Sequence, residues 1–271
     1  MNITPHSHSL ALSFCTVLLA VAAIPQPSRA DSDVSAVIAN KFHFYLQTTE
    51  GSAADEVDPF TMGISVVGSG PNLVTSANYT PPGGSSTALT SSNGIRFELS
   101  GQTDFATQAA LDAAFPAGTY AFSIQTINAP TTYNTSLSVT ASAYPNAPVL
   151  QNTGWAGGLL QINPTQSYHF TWNSGGGNDV FFGIDGVTPW QGLSGIATSF
   201  DLVANSLTAG QTYHGALSFD LINYATFENG TGVSSHHTQY LDFGIQATPE
   251  PGCFALLGVG GLIIGARRRR N

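Results

Sequence analysis

Between residues 168 and 247 the chain repeats one device. Short runs of alternating apolar and polar residues follow one another with Gly- and Asn-rich turns between them: YHFTW (168–172), DVFFGI (179–184), TSFDLV (198–203), YHGALSFDLI (213–222) and TQYLDFGIQA (238–247). Alternation of period two puts every second side chain on one face of an extended strand, and runs this short do not sustain a helix. Each strand must bury one face, and strands at this spacing form a sandwich of sheets. The N-terminal half carries the same signal, with Phe42, Phe44 and Leu46 sharing a face in KFHFYLQ and Ile95, Phe97 and Leu99 in GIRFELS. Both runs predict half-buried strands. One stretch, TDFATQAALDAAF (103–115), predicts a helix, with Thr103 or Asp104 as N-cap and Pro116 to Gly118 ending it.

The two ends do not belong to this pattern. Residues 10–24, LALSFCTVLLAVAAI, have the length and uniform apolarity of a signal-peptide core, and Ser28-Arg29-Ala30 supplies a small-x-small cleavage site. Cleavage after Ala30 predicts a mature chain that begins at Asp31. At the other end, Pro249-Glu250-Pro251 precedes an apolar stretch from Gly252 to Ala266 and four consecutive arginines, Arg267, Arg268, Arg269 and Arg270. As a helix that stretch spans only about 22 Å, against a hydrocarbon core of about 30 Å. It is therefore a short membrane anchor, held on the cytoplasmic side by its arginines. The prolines keep helix from running back into the folded body and leave an extended segment open to a protease.

This tail closely resembles the PEP-CTERM sorting signal of surface proteins from exopolysaccharide-producing bacteria. The resemblance implies an inner-membrane intermediate held transiently by the tail, cleavage near Pro-Glu-Pro by an exosortase-type enzyme, and release to the cell surface or extracellular matrix. An uncut, permanent anchor is the alternative.

With both ends set aside, residues 31–247 hold two basic residues, Lys41 and Arg96, against fifteen acidic ones, a net charge of −13. A surface that acidic repels phosphate backbones and excludes nucleic acid as a partner; neutral sugars and divalent cations remain as ligands. The only cysteines, Cys15 and Cys253, fall in the terminal segments, so no disulfide is expected in the exported body. At this length a core can sustain two domains. The break SAYPNAP (142–148) divides them into 31–145 and 146–247, between a signal peptide (1–30) and the sorting tail (248–271).

Within the second unit, Leu207-Thr-Ala-Gly210-Gln-Thr-Tyr213 stands between two predicted strands, and Trp172 lies in an earlier one. The Leu-x-x-Gly-x-x-Tyr spacing resembles the tyrosine corner of fibronectin type III and related immunoglobulin-like domains, and Trp172 resembles their core tryptophan. The resemblance implies two immunoglobulin- or fibronectin-III-like β-sandwich domains in tandem, with the Tyr213 hydroxyl reaching back to upstream backbone. Ala209 stands where that family usually has proline. Phe115-Pro-Ala-Gly118-Thr-Tyr120 is a shorter echo in the first unit.

Catalytic signatures are missing. The sequence has no G-x-S-x-G elbow, no H-E-x-x-H, no C-x-x-C and no P-loop lysine, and neither an enzyme nor a cofactor is expected. His236 and His237 are adjacent, so in a strand they point to opposite faces and do not share an ion; an exposed loop or edge is their expected place, where alanine substitution is silent. Ser174-Gly-Gly-Gly177-Asn-Asp179 matches a calcium-binding nonapeptide except at its first position. Asp179, with Asp185 at the end of the following strand, is thus a calcium candidate, against the plainer reading of a glycine turn.

Two functions fit. One is an exported, non-enzymatic surface or matrix protein associated with exopolysaccharide or biofilm. The other is a secreted carbohydrate-binding module or hydrolase accessory, in which Trp155, tyrosines, and Trp190 in a Gly/Pro-flanked loop present flat faces to sugar.

Overall fold

A computed structural model describes residues 33–248, apart from 92, 101–102, 129–131, 142–143 and 227–231. The predicted signal peptide with Ala30 and Asp31, and the tail with Pro249, Glu250, Pro251 and Arg267 to Arg270, lie outside the described residues. Among the described residues no helix is long and apolar enough to cross a membrane.

The chain is nearly all β. In the first half run Val34–Thr49 (β1), Ser52–Gly68 (β2), Val74–Thr80 (β3), Thr87–Ala88 (β4), Arg96–Glu98 (β5), Asp104–Phe105 (β6), the helix Gln108–Ala114 (α1), Gly118–Thr126 (β7) and Tyr133–Val139 (β8). The second half contributes Trp155–Ala156 (β9), Leu159–Ile162 (β10), Tyr168–Thr171 (β11), Asp179–Ile184 (β12), Thr188–Ser194 (β13), Ser199–Leu202 (β14), Thr212–Thr226 (β15) and Gly232–Ala247 (β16).

Four strands of 15 to 17 residues dominate, β1, β2, β15 and β16. They form the middle of one wide sheet ordered β13-β12-β15-β16-β1-β2-β5. At its centre β1 and β16 pair in parallel, from Ala36 opposite Gly232 to Gln47 opposite Phe243. Where β1 leaves off, β10 takes its place, pairing in parallel from Leu159 opposite Gly244.

Two hydrophobic cores lie under this sheet. The first packs β1 and β2 against the small sheet β4-β3-β7-β8 and Leu111 of α1, and it includes Val233 from β16. The second packs β10, β12, β15 and β16 against the pair β11–β14, around Trp172, Phe170, Phe182 and Phe243. Trp172 is 2% exposed, donates its indole N–H to the Ala197 carbonyl at 2.8 Å and stacks on Phe182.

The cores join through a polar seam on the inner face of β1, at Lys41, His43, Tyr45 and Gln47. Lys41, 1% exposed, pairs with Asp112 of α1 at 2.6 Å. Gln47 acts as a strand partner for Leu150, accepting its N–H at 2.8 Å and donating to its carbonyl at 2.9 Å. Buried polar groups need such partners, and this one ties the start of the second half to the first strand.

The seam turns β1 over relative to expectation. Phe42, Phe44 and Leu46 do share a face, but it is the outer one, and Leu46 is 45% exposed. The helix is also shorter than predicted. Asp104 and Phe105 form β6 against Thr61 and Phe60, and the N-cap is Thr107, whose side chain accepts from the Ala110 N–H. Strand pairing with β2 takes the first residues of the amphipathic stretch before a helix can start.

Candidate functional site

On its outer face the wide sheet carries a continuous row of aromatic rings. Phe42 stacks on Phe44 with centroids 5.5 Å apart, Phe44 meets Tyr240 at 5.3 Å, Tyr240 meets Trp190 at 5.6 Å, and Trp190 stacks on Phe181 at 6.0 Å. The row crosses β1, β16, β13 and β12. Glycines let the rings lie close to the sheet: a Cβ on Gly183 would stand 2.9 Å from the Trp190 ring, and one on Gly63 3.4 Å from Phe42.

Beside the rings runs a groove lined by Asn40, Ser218, Thr238, Asp185 and Asp220 as well as by Phe42, Phe181, Trp190 and Tyr240. At Asn40 and Phe42 it meets a second groove, which continues over Gly63 and Ser65 to Arg96 and Glu98. Together they cross the sheet from β13 to β5, six steps of about 4.8 Å, or on the order of 29 Å. Flat rings edged by amide, hydroxyl and carboxylate groups match a sugar polymer, whose apolar ring faces stack and whose hydroxyls take and give hydrogen bonds.

Charge along the groove is negative. His214 lies between Asp185 and Asp242, at 3.1 Å and 2.6 Å. Burial alone would lower its pKa, but the two carboxylates outweigh that and raise it. Asp220 has no such partner. It is 7% exposed, its Oδ1 lacks a hydrogen bond, and burial lifts its pKa to about 6 despite the neighbouring hydroxyls of Thr238 and Ser218.

Several expected positions fall elsewhere. Trp190 lies in β13, an edge strand, not in a loop; Pro189 fits there because an edge strand can forgo one ladder hydrogen bond. Trp155 is half-buried against the second core, with its indole N–H on the Asn152 carbonyl. His236 and His237 occupy the central strand β16, which overturns the exposed loop or edge expected for them. His236 is half-buried on the outer face and bonds Ser234; His237 is fully buried on the inner face, edge-on to Tyr144, with neither ring nitrogen partnered.

The glycine run before Asp179 serves packing. A Cβ on Gly175 would stand 2.4 Å from the Phe219 ring and one on Gly177 2.5 Å from the Asp220 carbonyl oxygen, while the Asn178 side chain clasps both backbone groups of Ile222. Asp179 opens β12 and Asp185 follows its last residue, about 20 Å apart along an extended chain. Among the described residues no group of three or more His, Cys, Asp or Glu side chains could hold a metal ion.

At the turn into β15, Tyr213 Oη accepts the backbone N–H of Thr208 at 2.7 Å, with Gly210 at φ +80° and Leu207 buried. In the first half Tyr120, fully buried, donates to the Pro116 carbonyl at 2.9 Å.

No family model and no curated protein matches the sequence. Solved structures give distant likenesses. One is a biofilm-associated protein described by its BSP domain, at 13% identity and a TM-score of 0.23; the match covers 81% of this chain, which spans 30% of that one. A two-domain fibronectin type-III segment of chicken tenascin is 13% identical at a TM-score of 0.22, over 68% of this chain and 94% of that one. A chimeric titin Z1Z2 tandem, also 13% identical, gives 0.20 over 74% and 94%.

Proposed function

We propose that the chain is an exported, non-enzymatic surface or matrix protein, sorted through its C-terminal tail by an exosortase-type enzyme, and that it holds extracellular polysaccharide on the outer face of its wide sheet. The observation that carries this reading is the five-ring row from Phe42 to Phe181, edged by hydrogen-bonding side chains along the groove. Stacking supplies contact area at little entropic cost, and the polar edge fixes orientation. The resemblance of residues 249–271 to a PEP-CTERM signal favours a surface protein over a hydrolase accessory, although the same groove would serve either.

Two measurements test it. Pull-down of the exported protein on polysaccharide from the producing cells should succeed with the wild type and fall at least tenfold for Trp190→Ala. Intact mass should show a chain that begins at or near Asp31 and ends near Pro249 to Pro251. Equal retention of both proteins would remove the polysaccharide reading; molecules still carrying Arg267 to Arg270 would remove the sorting one.

A further inference from the structure

Resting on the polysaccharide reading, we infer that the groove takes a polymer of amino sugars with free amines, and that Asp220 is the counter-ion for one of those amines. The two basic side chains of the folded body lie away from Asp220. Lys41 is committed to Asp112 on the inner face, and Arg96 to Glu98 at the far end of the groove. His214 is engaged by both Asp185 and Asp242. Asp220 is left among the rings as a carboxylate with an unpartnered oxygen, nine-tenths buried, in the lining of the groove.

Its surroundings supply no positive charge. Across the β12 register Asp179 is its direct partner and adds repulsion. On β16, Thr238 is its register partner, and His236, two pairs further along on the same face, is held below the usual imidazole range, first by burial. On its own strand stand Ser218 and Tyr224, neither able to carry positive charge. A buried carboxylate without a cation is costly, and the residue persists where a ligand completes it. A neutral glycan would offer Asp220 only a hydroxyl, and a uronate would set like charges together. An ammonium on a ring stacked beside Phe42, Tyr240 or Trp190 supplies the missing charge at the exposed edge of Asp220. The net charge of −13 over residues 31–247 also draws a cationic polymer to the surface.

The test is calorimetric titration of the exported protein with three oligosaccharides of equal length: oligoglucosamine, oligo-N-acetylglucosamine and oligogalacturonate, at pH 7 and pH 5. We expect oligoglucosamine to bind at least tenfold tighter than its acetylated counterpart at pH 7, with oligogalacturonate weakest. That preference should shrink at pH 5, where Asp220 is protonated although the sugar amines are more fully charged. Asp220→Asn should bring the preference close to one at both pH values. Equal binding of the amine and acetylated oligomers, with Trp190→Ala still weakening both, would overturn the amine assignment and leave the polysaccharide reading standing. Failure of all three oligomers and of the producer's own polysaccharide to bind would remove both.

Discussion

Trp190 lies over Phe181 with ring planes 7° apart and centroids 6.0 Å apart, and its other neighbour is Tyr240 on the central strand. An aromatic 46% exposed on an edge strand adds little to folding, so its loss should be read in binding. Trp190→Ala is expected to lower the unfolding free energy by about 1 to 2 kcal/mol, the value of its two aromatic pairs, while weakening polysaccharide binding at least tenfold. Denaturant titration and pull-down on the same preparation check it. A large stability loss with unchanged binding would make Trp190 a packing residue.

The two back-reaching tyrosines should differ in a graded way. Tyr213→Phe and Tyr120→Phe each lose one hydrogen bond to nearby backbone, an expected cost of about 1 kcal/mol. Alanine separates them. Tyr120 is wholly buried in the first core, so Tyr120→Ala should cost roughly 3 to 5 kcal/mol; Tyr213 is half-buried, so Tyr213→Ala should cost about 2 kcal/mol. Urea midpoints of the four variants report this order, and indistinguishable midpoints would mean that neither turn is held by its tyrosine.

What was legible in the sequence was local. The Leu207 to Tyr213 turn could be read because its hydrogen bond spans five residues and its glycine sits where φ is positive. The central pairing of β1 with β16 could not, since it joins residues as far apart as Asn40 and Thr238. That pairing also determines which face of β1 is inside. Phe42, Phe44 and Leu46 read as the buried face because they are the apolar ones, yet the inner positions belong to Lys41, His43, Tyr45 and Gln47, partnered by α1, β2, Leu150 and, for Tyr45, by His43 of the same strand. Trp190 was readable as exposed but not as part of a ring row, because Tyr240 meets it, and Phe44 meets Tyr240, from strands distant in sequence.

His237 makes an acid-sensitive point of the inner face. Burial first, then the Lys41 charge, lower its pKa from 6.5 to about 4. The folded protein therefore binds that proton less readily than the unfolded chain. The stability it contributes is complete above pH 6.5 and is lost as pH falls towards 4, by an order-of-magnitude 3 kcal/mol. His237→Leu should flatten this acid limb, and at pH 7 should be neutral or stabilising, because it replaces a ring with two unpartnered nitrogens. His237→Ala should flatten the limb too but cost about 2 kcal/mol at pH 7 through the cavity it leaves. Unfolding curves from pH 4 to 7 decide the matter; an acid limb that persists in both variants would place its origin elsewhere.

Asp220 acts in the opposite direction. Its pKa rises from 3.8 to about 6, chiefly through burial, so the folded protein holds this proton more tightly than the unfolded chain does. The stability it confers is present below pH 3.8 and is lost as pH climbs through 6, where ionisation leaves a buried charge without a cation. About two pKa steps correspond to about 3 kcal/mol lost by pH 7. Asp220→Asn keeps the shape and removes the charge, so it should raise the unfolding midpoint at pH 7 by roughly 6 to 10 °C and make little difference near pH 4. A residue whose replacement stabilises the fold but erases a ligand preference is one retained for binding. An Asp220→Asn protein less stable than wild type at pH 7 would show that the carboxylate is a structural partner in the sheet, and the groove would lose its counter-ion.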